Sequence, residues 1–113
     1  MTTIRLVKAA VLSMSILVMF TAGFADIRIR FVRGRTSATV TGSIRAGGRV
    51  CYVAGARSGQ TMNAVVSSQS GKVFIFESGE TSYSQTVERS GDQSICVDNT
   101  GRATRYTLTV SIL

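Results

Sequence analysis

Cys51 and Cys96 are the only thiols in the chain, and no histidine accompanies them. A metal centre of thiolate and imidazole ligands would need more of both, so no metal or other cofactor is expected. An even pair of cysteines in a small exported protein most often forms a bridge. Closing the 45-residue separation between them would contribute about 4 kcal/mol in the chain-entropy model. Catalysis is poorly supplied. An enzyme needs a nucleophile beside a base, a carboxylate pair or a metal, and Glu77, Glu80, Glu88, Asp92 and Asp98 stand in or beside turns with no spacing that forces two onto one site. The expectation is a protein that is not an enzyme.

What remains is recognition. Two turns combine hydroxyls, glycine N–H groups and charge in the way a loop needs to enter a cleft and meet carboxylates. One is Ser78-Gly79-Glu80 with Tyr83; the other is Ser90-Gly91-Asp92, with Arg102 and Arg105 on the following connection. The same residue types also serve ordinary turns. Tyr52 and Tyr106 alternate onto inward strand faces, which leaves Tyr83 as the one candidate for base stacking, and nucleic acid is not an expected partner.

The elements that must carry these residues begin after an export signal. Arg5 and Lys8 form a positive start, Ala9 to Phe20 is apolar, and Ala22-Gly23-Phe24-Ala25 offers small residues for cleavage before Asp26. Residues 1–25 are therefore read as a signal peptide, the location as periplasmic or secreted, and residues 26–113 as a single domain. The apolar run falls short of the ~20 residues that span a bilayer, so no stable membrane span is expected after cleavage. Of the 13 basic residues, 11 remain in that domain with all 6 acids, and Lys72 is the only lysine among them. Such an arginine-rich cation favours forked contacts with carboxylate or phosphate, and an anionic envelope glycan is one partner it would suit.

Period-two alternation dominates the remainder. Ile27, Ile29 and Phe31 alternate with Arg28 and Arg30; Ser37 to Arg45 places Ala38, Val40 and Ile44 inward, with Gly42 marking a bulge or bend. Arg49 to Ala56 puts Tyr52 and Ala54 on one face and Cys51 on the other. Thr61 to Ser67 follows, then Lys72 to Glu77, whose Val73-Phe74-Ile75-Phe76 is apolar on both faces and suits a central strand. Thr81 to Val87, Gln93 to Asp98 and Thr104 to Leu113 complete about eight strands separated by Gly/Ser turns, an all-β antiparallel sandwich or jelly roll. The third and seventh strands would carry Cys51 and Cys96 outward, which predicts a cross-strand disulfide on an outer face.

The blocks Ile29 to Val40, Gly42-Ser43-Ile44-Arg45, Ala56-Arg57-Ser58-Gly59-Gln60, Ser90-Gly91-Asp92 and Tyr106 to Ile112 resemble small periplasmic proteins related to bacterial inhibitors of g-type lysozyme. The Ala-x-x-Gly-Gln block and the closing Tyr-Thr-Leu-x-Val strand are similar as well to pre-peptidase C-terminal domains. The resemblance implies a β-sandwich that binds a lysozyme-like muramidase and blocks it by loop insertion or occlusion. The pre-peptidase likeness implies instead a module for envelope glycans or anions. Against the inhibitor pattern the loop before the closing strand is short, Asp98 to Ala103, and the cysteine pair is an addition.

Overall fold

Side chains on an extended chain point alternately to opposite faces, so a segment with one apolar and one hydroxylic set covers a core on one side only. The computed structural model of this protein describes residues 26–113; the reading of residues 1–25 as an export signal lies outside them. Its strands are β1 (Ile27–Arg28), β2 (Ser37–Ile44), β3 (Arg49–Ala56), β4 (Thr61–Ser68), β5 (Val73–Ile75), β6 (Ser82–Thr86), β7 (Gly91–Asn99) and β8 (Thr104–Ile112). They form two four-stranded sheets, in the orders β1-β3-β7-β5 and β2-β8-β4-β6. The all-β sandwich expected from the sequence is the fold observed. Among the described residues no helix is long and apolar enough to cross a membrane.

Each connection leaves one sheet for the other, so odd-numbered strands share one layer and even-numbered strands the other. The Gly/Ser turns are therefore corners over the core rather than hairpins. Between the layers lie Tyr52, Ala54, Ile95 and Val97 of the odd sheet and Met62, Val66, Leu108 and Val110 of the even sheet, all buried. Tyr52 and Tyr106 hydrogen-bond to each other through their hydroxyls, across the core. Cys51 and Cys96 are directly opposed on β3 and β7 and joined by a disulfide, on the face away from the core. The Cys96 N–H and C=O turn the other way, to the Glu77 carboxylate and the Phe76 N–H. That leaves the Cys51–Cys96 pair without ladder bonds between them, the type of site where facing side chains come closest.

Three expectations are corrected. The N-terminal strand is only two residues long and runs parallel to β3, while all the other strand pairs are antiparallel. Of its apolar set, Ile29 is buried and Ile27 is half exposed, because the chain leaves the sheet after Ile29 bonds to the Val53 carbonyl. Gly42 makes no bulge: β2 pairs with β8 in unbroken register, and Gly42 lies opposite Tyr106. A Cβ there would stand 2.8 Å from the Tyr106 Oη, so the glycine makes room for the phenol. Finally, β5 is an edge strand and not a central one. Its outward face is only partly covered: Phe74 is partly buried, and Phe76 just beyond the strand is half exposed, with the Arg49 guanidinium 4.0 Å above its ring while Arg49 also donates to both Asp98 oxygens.

Candidate functional site

Strand direction sorts the connections to the two ends of the sandwich. β7 starts at Gly91 opposite Ala56 and finishes with Asp98 opposite Arg49 and Asn99 opposite Val73. Segments 45–48, 69–72 and 100–103 therefore share one end, the upper rim, and segments 29–36, 57–60 and 87–90 share the lower rim. Segment 76–81 crosses between sheets partway along and lies on the flank.

The Ser90-Gly91-Asp92 turn consequently lies at the opposite end from Arg102 and Arg105. The nine residues of β7 stand between them, a span of about 30 Å at strand rise. The two halves of that sequence-predicted group do not meet. At the lower rim Ser90 and Asp92 are engaged internally. The Ser90 Oγ accepts the Ser58 N–H at 2.9 Å, and Arg28 Nη2 reaches Asp92 Oδ2 at 2.5 Å. The hydrogen bond from Arg28 holds the Asp92 carboxyl below the ordinary carboxylate range against the opposing effect of desolvation, with a lesser contribution from the Arg28 charge. Asp92, Gly91, Ser90, Glu88 and Arg89 line one shallow depression of mixed charge.

On the flank the structure brings Ser78 and Tyr83 to one depression. Ser78 Oγ accepts the Glu80 N–H at 3.2 Å, and the Gly79 N–H donates to the Ile75 carbonyl at 2.7 Å, so this turn is closed on itself. The Tyr83 ring packs against the core and its hydroxyl donates to Gln85 Oε1. Burial, and secondarily the Glu77 charge, push its phenol above the ordinary range.

The lower-rim segments also hold Arg30, Arg33, Arg35, Arg57 and Arg89, unpaired among the described residues, together with Glu88; the upper rim differs in having no acid in its loops. Arg45, Lys72 and Arg102 stand in its loops and Arg105 just inside β8, and segments 45–48, 69–72 and 100–103 contain no acid. Among the described residues none of these four makes a salt bridge; the two ion pairs are Arg28–Asp92 and Arg49–Asp98. Arg105 makes only a 3.4 Å contact to Ser43 Oγ. With Arg45, Gln69 and Ser43 it borders an open concavity. Such unpaired guanidinium forks are free to take carboxylates from outside the molecule.

Sequence reasoning found Arg102 and Arg105 but missed Arg45, Lys72 and Gln69. Arg45 sits in one turn and Gln69 and Lys72 in another, both distant in sequence from Arg102, and only the alternation of strands between sheets gathers those turns at one end.

No protein-family model matches the sequence, and no curated protein matches it significantly. Solved structures do match in fold. PliG of Aeromonas hydrophila, a periplasmic inhibitor of g-type lysozyme, superposes with a TM-score of 0.67 at 22% identity, covering 79% of this chain and 96% of that one. PliG of Salmonella Typhimurium gives 0.63 at 22% identity, over 80% and 99% of the two chains. A mutant of the Escherichia coli PliG gives 0.61 at 19% identity, over 78% and 97%. Residues 26–113 thus have the fold of the periplasmic inhibitors of g-type lysozyme, over nearly the full length of those proteins.

Proposed function

We propose that this protein is a periplasmic, non-catalytic inhibitor of a g-type lysozyme that acts by occluding the enzyme's cleft with its upper rim. The observation that carries the reading is the match to the Aeromonas inhibitor over 96% of its length. The upper rim adds a chemical reason. Glycoside hydrolases as a rule work with a pair of carboxyl groups beside the scissile bond, and an acid-free cluster of Arg45, Lys72, Arg102 and Arg105 complements such a cleft. Forked arginine–carboxylate pairs would fix the orientation, and the summed charge would speed encounter. The other two candidate surfaces fit less well. The lower rim has Arg30, Arg33, Arg35, Arg57 and Arg89, but Glu88 stands among them and Asp92 borders the same depression, and Glu77 and Glu80 lie on the flank, so both would set some like charge against the enzyme's acids. In this reading Ser78, Gly79, Glu80, Tyr83, Ser90, Gly91 and Asp92 hold turns in shape, and Arg102 and Arg105 make contact.

The test is cell-wall lysis by g-type lysozyme in the presence of the purified mature protein, with c-type lysozyme as comparator. Lysis by the g-type enzyme should stop at micromolar inhibitor. The double substitution Arg102→Glu and Arg105→Glu should weaken inhibition by at least about tenfold. Undiminished lysis by the g-type enzyme rejects the proposal.

A further inference from the structure

Asn99 is the only polar residue buried among the described residues, at 3% exposure. Its side-chain hydrogen bonds all go to backbone groups at the upper rim. The carboxamide nitrogen lies 3.3 Å from the Ile44 carbonyl oxygen, 3.1 Å from that of Arg45 and 2.8 Å from that of Arg102. The carboxamide oxygen accepts the Gly101 N–H at 3.0 Å. Its backbone continues the pattern, with the Asn99 carbonyl accepting from Gly47 and its N–H donating to Gly48. One side chain thereby ties together the backbones of two loops that carry rim arginines.

The next two residues reach the third loop. Thr100 donates to the Lys72 carbonyl with both its N–H and its hydroxyl, each at 2.9 Å. Gly101 lies so close that a Cβ on it would stand 2.8 Å from the Lys72 Cβ. Leaving a buried amide unpaired is costly, so a carboxamide whose partners are the end of β2 and the backbone of two loops holds those loops in one arrangement.

We infer that Asn99, seconded by Thr100, is the positioning residue of the upper rim: it fixes the backbones of Arg45, Arg102 and Lys72 at the spacing with which they meet the enzyme. The inference rests on the function proposed above. Side chains on loosened loops pay ordering entropy when they bind; on braced loops that entropy is already lost on folding.

The experiment compares wild type with Asn99→Leu and Thr100→Val by amide hydrogen exchange in the free protein and by inhibition of g-type lysozyme at two salt concentrations. For Asn99→Leu the Gly47 and Gly101 amides should exchange at least about tenfold faster, while the Gly59 amide at the lower rim, bound to the Val87 carbonyl, stays as it was. Inhibition should weaken about ten- to a hundredfold with an unchanged salt dependence, because no charge is removed. A general loss of stability would instead loosen both rims. Thr100→Val, at an exposed position, should weaken inhibition by about threefold with the fold intact.

Asn99→Leu that inhibits within about twofold of wild type overturns the inference; so does unchanged exchange at Gly47 and Gly101. If Asn99→Leu fails to fold, wild-type exchange and inhibition in Thr100→Val overturn it. A wild-type protein that leaves lysis untouched defeats the proposed function, and the exchange result then decides by itself whether Asn99 braces the loops.

Discussion

Two phenols meet in the middle of this sandwich because one glycine stands aside for them. Tyr52 and Tyr106 are both buried, and each hydroxyl has the other as its partner. Burial, and then the hydrogen bond with Tyr52, raise the Tyr106 phenol far above its ordinary range. A raised acid in the folded state stabilises fully below the unfolded value of about 10 and loses that contribution as pH rises beyond it. Tyr106→Phe should strand the Tyr52 hydroxyl and cost about 1–2 kcal/mol in urea unfolding at neutral pH. The same variant should lose less stability than wild type between neutral and strongly alkaline pH. Gly42→Ala should cost about 1–3 kcal/mol by overpacking, with the strand pairing of β2 and β8 retained. Alternation showed that Tyr52 and Tyr106 face inward, as they do, but not that they meet or that Gly42 makes room for them. Gly42 in an alternating strand has the signature of a bulge, and its true neighbour lies 64 positions along the chain.

At the scale of elements, the strand limits were largely legible, since alternation reports which face is buried. Arg49–Ala56 and Thr104 onward emerge as strands from pattern alone. The neighbours of a strand leave no such mark. Val73 to Phe76 looks central because four apolar residues in a row imply two covered faces; here the outward Phe74 is only partly buried and Phe76 is half exposed beneath the Arg49 guanidinium, and β5 lies at the edge. The opposed cysteines were foreseen, since both alternate outward on strands that needed only to be adjacent. Their bond joins the two central strands of the odd sheet. Replacing both cysteines by alanine should lower stability by about 2–4 kcal/mol and the melting temperature by about 10 °C or more, measured by thermal unfolding of residues 26–113. An unchanged melting temperature would show that the ladder holds without the bridge.

For the whole molecule, the decisive property is where charge ends up. Arginine is densest at Arg28, Arg30, Arg33 and Arg35, and the last three lie in the lower-rim segment; the upper rim gathers Arg45, Lys72, Arg102 and Arg105 from separate segments with no acid in its loops, while Arg28 and Arg49 are spent on Asp92 and Asp98. Arg102 and Arg105 were recognisable as candidates because they crowd a short connection. Grouping them with Ser90 to Asp92 followed chain order and overlooked the length of β7. Asn99 resembled any polar residue at a strand end, and its role exists only through Ile44, Arg45 and Arg102 on separate segments. Because the four upper-rim cations are exposed, unpaired and set in loops without an acid, partner binding should weaken as salt shortens the Debye length from about 10 Å toward 3 Å.

The central claim is that this rim is the surface presented to the enzyme. Backbone amide NMR of the isotope-labelled mature protein, titrated with g-type lysozyme, tests it most directly. The account predicts shifts and broadening concentrated in residues 45–48, 69–72 and 100–105, with the lower rim silent. Perturbation centred on residues 87–92 or 57–60, or none at all at saturating enzyme, would contradict it.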